Sequence, residues 1–174
     1  MGQDYTKHNL LFISKYPEII HEFTDAMKDR DIEIETAING IEAAAKIKKK
    51  NYDIVITGLS LEGYNGEQII TYLNKTAPST VCIIYTTTIS SAQLHFFINE
   101  RNVFRVFLRP VDFRGAFWEA LEEAYEYHAV QVKNEEDTGA RRQEQEKQER
   151  EIEIMDQRMR SQRQARETTN RYMK

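Results

Sequence analysis

Short apolar runs recur along this chain at regular intervals, separated by stretches of helical spacing, and this rhythm restricts its fold more than any other feature. Leu10-Leu11-Phe12-Ile13 is continuous and apolar, as expected of a strand covered on both faces. Tyr52-Asp53-Ile54-Val55-Ile56, residues 81–85 and residues 103–108 repeat that pattern, whereas Ile32-Glu33-Ile34-Glu35 alternates like a strand nearer a sheet edge. Pro17 suits the first turn of a helix running to about Lys28, with Ile20, Phe23 and Met27 on one face. Asn39-Gly40 turns the chain into helix-forming residues 41–47. Gly63 and Gly66 mark a loop before a helix over 67–73, ended by Ala77-Pro78. Helices over 92–100 and from near Phe113, burying Phe117, Leu121 and Ala124, complete the series. The alternation predicts an α/β fold, a doubly wound five-stranded parallel sheet, because right-handed crossovers leave few other arrangements. In such sheets chemistry sits at the carboxyl ends of the strands, here Ser14-Lys15, Gly58, Thr86-Thr87 and Arg109.

Length and composition bound the rest. A chain of 174 residues with 40% apolar content supports one core and an appendage. Composition changes near Val132, which divides the chain into a domain over 1–131 and a charged helical tail over 132–174. The formal charge of -4 gives no general basic field for nucleic acid or membrane. The single cysteine, Cys82, lies in an apolar run and reads as a buried hydrophobe, consistent with a reducing, cytoplasmic setting. The start Met1-Gly2 with Thr6 loosely fits a myristoylation pattern that carries no weight alone, and no segment has the roughly 20 apolar residues of a membrane span. His8, His21, His95 and His128 show no ligand spacing, so no metal is expected. There is no Walker-type loop and no nucleophile–base pair, so no enzyme, catalytic residue or cofactor is expected either.

Three segments carry a family resemblance. The stretch Asp53-Ile54-Val55-Ile56-Thr57-Gly58, continued by Leu59-Ser60-Leu61-Glu62-Gly63-Tyr64-Asn65-Gly66, resembles the phosphoacceptor strand and following loop of bacterial response regulator receiver domains. Asn39-Gly40-Ile41-Glu42-Ala43-Ala44 resembles a helix start of that family, and residues 102–110 resemble its fifth strand with the terminal Lys-Pro. The resemblance spans Asn9 to Tyr127 and implies a flavodoxin-like fold within two-component signal transduction.

It also implies chemistry that these residues depart from. A receiver phosphorylates an aspartate beside a magnesium ion held by acidic residues. Here the acceptor position aligns with Gly58 and the acidic pair with Ser14 and Lys15. The conserved hydroxyl aligns with Thr87, or with Thr86 if the register slips by one, and the conserved lysine with Arg109. Asp53 lies about 16 Å from the carboxyl end of its strand at about 3.3 Å per residue, and Glu62 matches a loop proline, so neither replaces the acceptor. Ser14, Lys15, Gly58, Thr87 and Arg109 thus read as a degenerate pocket whose charges either pack against Glu18 or Glu62 or hold an anion.

Function is therefore expected from surfaces. In receivers the face of the fourth helix, fifth strand and fifth helix signals to partners, and Phe96, Phe97, Phe107 and Trp118 make it the expected protein-binding surface here. In the tail, Ile152, Met155 and Met159 follow a heptad seam continued only by Gln162, Arg166 and Thr169, a weak coiled coil suited to homo-oligomerisation. Residues 144–156 are mainly acidic and 158–174 mainly basic, which permits antiparallel pairing with a second copy or contact with an acidic partner, RNA or a membrane surface. Asp137-Thr138-Gly139 is a candidate interruption of the helix, which otherwise reads as a solvated linker. The leading expectation is a non-catalytic, phosphorylation-independent pseudo-receiver adaptor. The alternatives are a small-ligand or nucleotide sensor in the vacated pocket and nucleic-acid or acidic-partner binding by the tail.

Overall fold

A computed structural model describes residues 7–173; the start considered for myristoylation and Lys174 lie outside it. Strands and helices alternate throughout: β1 (His8–Ile13), α1 (Pro17–Met27), β2 (Ile32–Ala37), α2 (Gly40–Lys49), β3 (Ile54–Thr57), α3 (Gly66–Thr76), β4 (Val81–Thr86), α4 (Ser91–Glu100), β5 (Arg105–Leu108) and α5 (Ala116–Tyr172). The five strands form one parallel sheet in the order β2-β1-β3-β4-β5. The alternating β2 lies at an edge, and the mainly apolar β1, β3 and β4 lie inside, where both faces are covered.

Period-two alternation sorts the strand side chains into two cores. Leu10, Phe12, Ile54, Ile56 and Ile83 face α1 and the start of α5, where Phe12 stacks on Phe23 at 4.2 Å and Phe113 meets Phe117 at 5.1 Å. Leu11, Ile13, Val55, Cys82 and Ile84 face the residues of α2, α3 and α4. Cys82 is buried, which pushes its thiol up to about 12, the behaviour of a core side chain.

Local chemistry shortened two strands relative to the sequence pattern. β3 begins at Ile54 because Asp53 exchanges bonds with Asn9: its backbone N–H donates to Asn9 Oδ1 at 2.6 Å, and the Asn9 N–H donates to Asp53 Oδ2 at 3.3 Å. β5 begins at Arg105 because the Val103 N–H is taken by the Phe97 carbonyl at the end of α4. Asn65 and Gln68 form a reciprocal capping box that starts α3, and Ser90 and Gln93 do the same for α4. At Gly66 a Cβ would lie 2.2 Å from the Gly58 carbonyl oxygen, so the absent side chain lets α3 begin directly against the end of β3.

The chain divides into two compact units, Met1–Val132 and Lys133–Lys174. The first contains the sheet, to whose core Phe117, Leu121, Ala124 and Tyr125 of α5 contribute. In the second, the described residues are helical to Tyr172 and exposed throughout. Asp137-Thr138-Gly139 does not interrupt the helix, because Thr138 donates its hydroxyl to the Asn134 carbonyl and a single glycine costs a helix only about 1 kcal/mol. No described helix is long and apolar enough to cross a membrane.

Candidate functional site

Four strands end together on one side of the sheet. The Gly58 N–H donates to the Ile13 carbonyl at 3.1 Å, and the Arg109 N–H to the Thr86 carbonyl at 2.8 Å, continuing the ladders past the strand ends. Ser14, Lys15, Gly58, Thr86, Thr87 and Arg109 consequently line one cavity of about 60 Å³. Ser14 is buried, and its Oγ accepts the Tyr16 N–H at 3.2 Å. Thr86 ends β4 and donates to the Thr88 carbonyl at 3.3 Å; Thr87 follows, exposed at the rim.

Aromatic rings hold the two cations of this cavity. The Arg109 guanidinium lies 4.7 Å from the Tyr16 ring centroid and 5.9 Å from that of Tyr85. Tyr85 in turn packs on Phe113 at 5.3 Å, so the core fixes one wall of this cradle. Lys15 Nζ lies 5.2 Å over Tyr16 and 3.4 Å from Ser60 Oγ. Packing of these charges against Glu18 or Glu62 is not observed: neither carboxylate pairs with Lys15 or Arg109 among the described residues. Glu62 is exposed, and only its backbone carbonyl is engaged, by the Gly40 N–H at 2.9 Å. Burial raises the Tyr85 phenol above its ordinary value, with Arg109 partly opposing the rise, so the ring stays neutral beside its cation.

The cavity is therefore positive and contains no lining carboxylate among the described residues. The magnesium ion of receiver chemistry does not fit here, because the ligand positions offer one neutral hydroxyl, one ammonium and a residue without a side chain. A Cβ at Gly58 would meet nothing nearer than the Tyr85 carbonyl oxygen at 3.8 Å.

The family model described as response regulator receiver domain matches residues 11–115. The chain belongs to that family. No curated protein matches this receiver's sequence. Among solved structures it is similar to the signal receiver domain of an HD domain-containing protein from Pseudomonas fluorescens Pf-5, at 19% identity and a TM-score of 0.67, covering 71% of this chain and 98% of that one. A CheY-like response regulator receiver domain protein from Methanospirillum hungatei JF-1 gives 19% identity and a TM-score of 0.64 over 71% and 98% of the two chains. A structure described as adenylate cyclase from Rhodopirellula baltica gives 20% identity and a TM-score of 0.68 over 75% and 96%. At these identities the likeness establishes the receiver fold.

Of the four aromatic residues expected to greet a partner, one is buried and three are half-buried. Phe97 is buried in the core, and the Phe107 ring lies 4.7 Å from Phe117. Phe96 and Trp118 are half-buried beneath Arg101 and Arg30, at 4.6 and 4.3 Å. Strand and helix periodicity cannot distinguish an apolar side chain that reaches the core from one that stops short of it. The exposed apolar side chains on α4, β5 and the sheet-proximal part of α5 are instead Leu94, Ile98, Leu108, Tyr127 and Val130. In the tail, Ile152, Met155 and Met159 are all exposed.

One constellation escaped the sequence reading. At the opposite end of the sheet Asp53 receives His128 Nε2 at 3.2 Å and faces His8 Nδ1 at 3.5 Å. His128 Nδ1 lies 2.8 Å from the Ser79 carbonyl oxygen, and His8 stacks on Tyr125 at 4.3 Å. Burial raises the Asp53 carboxyl, but bonds from His128 and Asn9 outweigh it and hold the group below its ordinary range. The cluster joins residues 75 positions apart, so no local spacing could reveal it. No group of three or more metal-ligating side chains is found among the described residues.

Proposed function

We propose that this receiver works without phosphorylation, as a non-catalytic adaptor that presents its α4–β5–α5 face to a protein partner and oligomerises through its tail. One observation carries the reading: Gly58 stands where the acceptor is needed, in a cavity whose charged residues are Lys15 and Arg109. A phosphoryl group would find cations to attract it and no carboxylate to bond to. Receiver-type transfer needs a carboxylate acceptor, acidic metal ligands and geometry together, and no described residue lining the cavity supplies a carboxylate for either of the first two. The half-exposed Leu94, Ile98 and Leu108 with the charged edge around Arg105 and Glu123 have the mixture of apolar anchor and polar rim that protein interfaces use.

The cavity's size favours this reading over a nucleotide sensor. At about 60 Å³ it accommodates a small oxyanion or one or two waters, far below the several hundred Å³ that drug-sized ligands occupy.

The test is incubation of the purified protein with a small phosphodonor and magnesium, followed by intact mass. An unchanged mass supports the proposal. A phosphate adduct would sink it and locate an acceptor elsewhere. Affinity capture with a Leu108→Glu control then examines the partner surface directly.

A further inference from the structure

Resting on the proposed oligomerisation, we infer that the occupant of the exposed tail helix is the same helix of a second copy, running antiparallel and centred near Gln157.

The helix has little to sustain it alone. Every described residue of 133–173 is exposed, and no ion pair forms within that segment among the described residues. Helices in water draw most of their stability from packing an apolar face, and isolated ones need networks of side-chain pairs that are not made here. The face to be packed is visible: Ile152, Met155 and Met159 follow the three-four spacing of a coiled-coil seam and are 63, 63 and 53% exposed.

Charge decides what covers that seam. Residues 144–156 carry six carboxylates against Lys147 and Arg150, whereas residues 158–173 carry five arginines against Glu167. Parallel pairing in register would place each block against its own copy, acid on acid and arginine on arginine. Antiparallel pairing lays each acidic block along the partner's basic block and brings Met155 beside the partner's Met159. Like charges held side by side on paired helices destabilise, and opposite charges select orientation. The same reasoning disfavours a nucleic-acid partner, since binding through the arginine block would bring the net-negative acidic block close to a polyanion.

The seam has three apolar residues, so the dimer is weak and rests substantially on electrostatics. Its dissociation constant should rise about tenfold or more between low and molar salt, where the screening length contracts from about 30 to about 3 Å.

The experiment uses the full-length protein carrying Gln145→Cys with a spin label, buried Cys82 remaining unlabelled, together with sedimentation velocity. An antiparallel dimer centred at residue 157 separates the two labels by about 36 Å, at 1.5 Å per residue, whereas a parallel one brings them within about 15 Å. A dimer with the long distance, lost on Met155→Glu with Met159→Glu, is the expected result. A dimer with the short distance overturns the orientation and leaves the oligomerisation reading standing. A dimer indifferent to the two glutamates overturns the tail as its site. A monomer at all concentrations overturns both, and salt-sensitive binding of an RNA oligonucleotide by that monomer would identify the basic block's partner instead.

Discussion

His128 of α5 reaches Asp53 at the foot of β3, its Nε2 3.2 Å from one carboxylate oxygen while its Nδ1 faces the Ser79 carbonyl at 2.8 Å. Both ring nitrogens thus face acceptors, an arrangement the doubly protonated imidazole satisfies completely. The His128 side chain thus ties α5 to the sheet at the end remote from the cavity around Gly58.

Asp53→Asn should destabilise the receiver by about 2 kcal/mol at neutral pH, because it leaves a partly buried His128 without its charged acceptor. Urea midpoints of the two proteins measure this. Asp53 is held below its ordinary carboxyl value, so its contribution is complete above that ordinary value and is lost as pH falls through the folded one. The gap between wild type and Asp53→Asn should accordingly close in the acid range below about pH 4.

Gly58→Asp should fold with stability within about 1 kcal/mol of the wild type, since a Cβ there has ordinary van der Waals room. It should nevertheless remain unmodified by a phosphodonor, because Ser14 and Lys15 supply no acidic ligands. Adding Ser14→Asp and Lys15→Asp should produce an adduct by intact mass. If Gly58→Asp alone is modified, the vacated ligand positions are not what stops the chemistry.

Tyr16→Ala removes one of the two rings that flank Arg109. Loss of an exposed cation–π contact is worth about 0.5–1 kcal/mol, so thermal stability should drop slightly. Inorganic phosphate should then bind more readily, as the guanidinium is freed toward the cavity; an unchanged phosphate titration would show that the stack does not restrain it.

Leu108→Glu and Ile98→Glu change half-exposed side chains and should move the unfolding midpoint by about 0.5 kcal/mol or less. Partner capture should fall in both. Phe97→Ala, by contrast, empties a core site and should cost about 3–5 kcal/mol, which identifies it as a packing residue.

Gly139→Ala should raise helicity in circular dichroism and stabilise the tail helix locally by about 1 kcal/mol. A Cβ there meets nothing within 4 Å, so only helix propensity changes.

Periodicity and turn chemistry are local properties, and they were enough to determine the succession of strands and helices, the edge position of β2 and the doubly wound α/β class, while the receiver type followed from the resemblance of three motif segments. That Ser14, Lys15, Gly58, Thr87 and Arg109 would gather at one place was legible as well, because each lies at or just past the carboxyl end of a strand, and they do line one cavity. Tertiary structure decided everything that depends on how far a side chain reaches. It placed Arg109 between Tyr16 and Tyr85 instead of against a carboxylate, and it took Phe97 into the core while leaving Leu108 outside. It also brought His8, Asp53 and His128 together from separate elements. Sequence spacing specifies which face a residue occupies; whether that face meets core, cation or solvent is set by elements distant in the chain, whose approach only the folded packing defines.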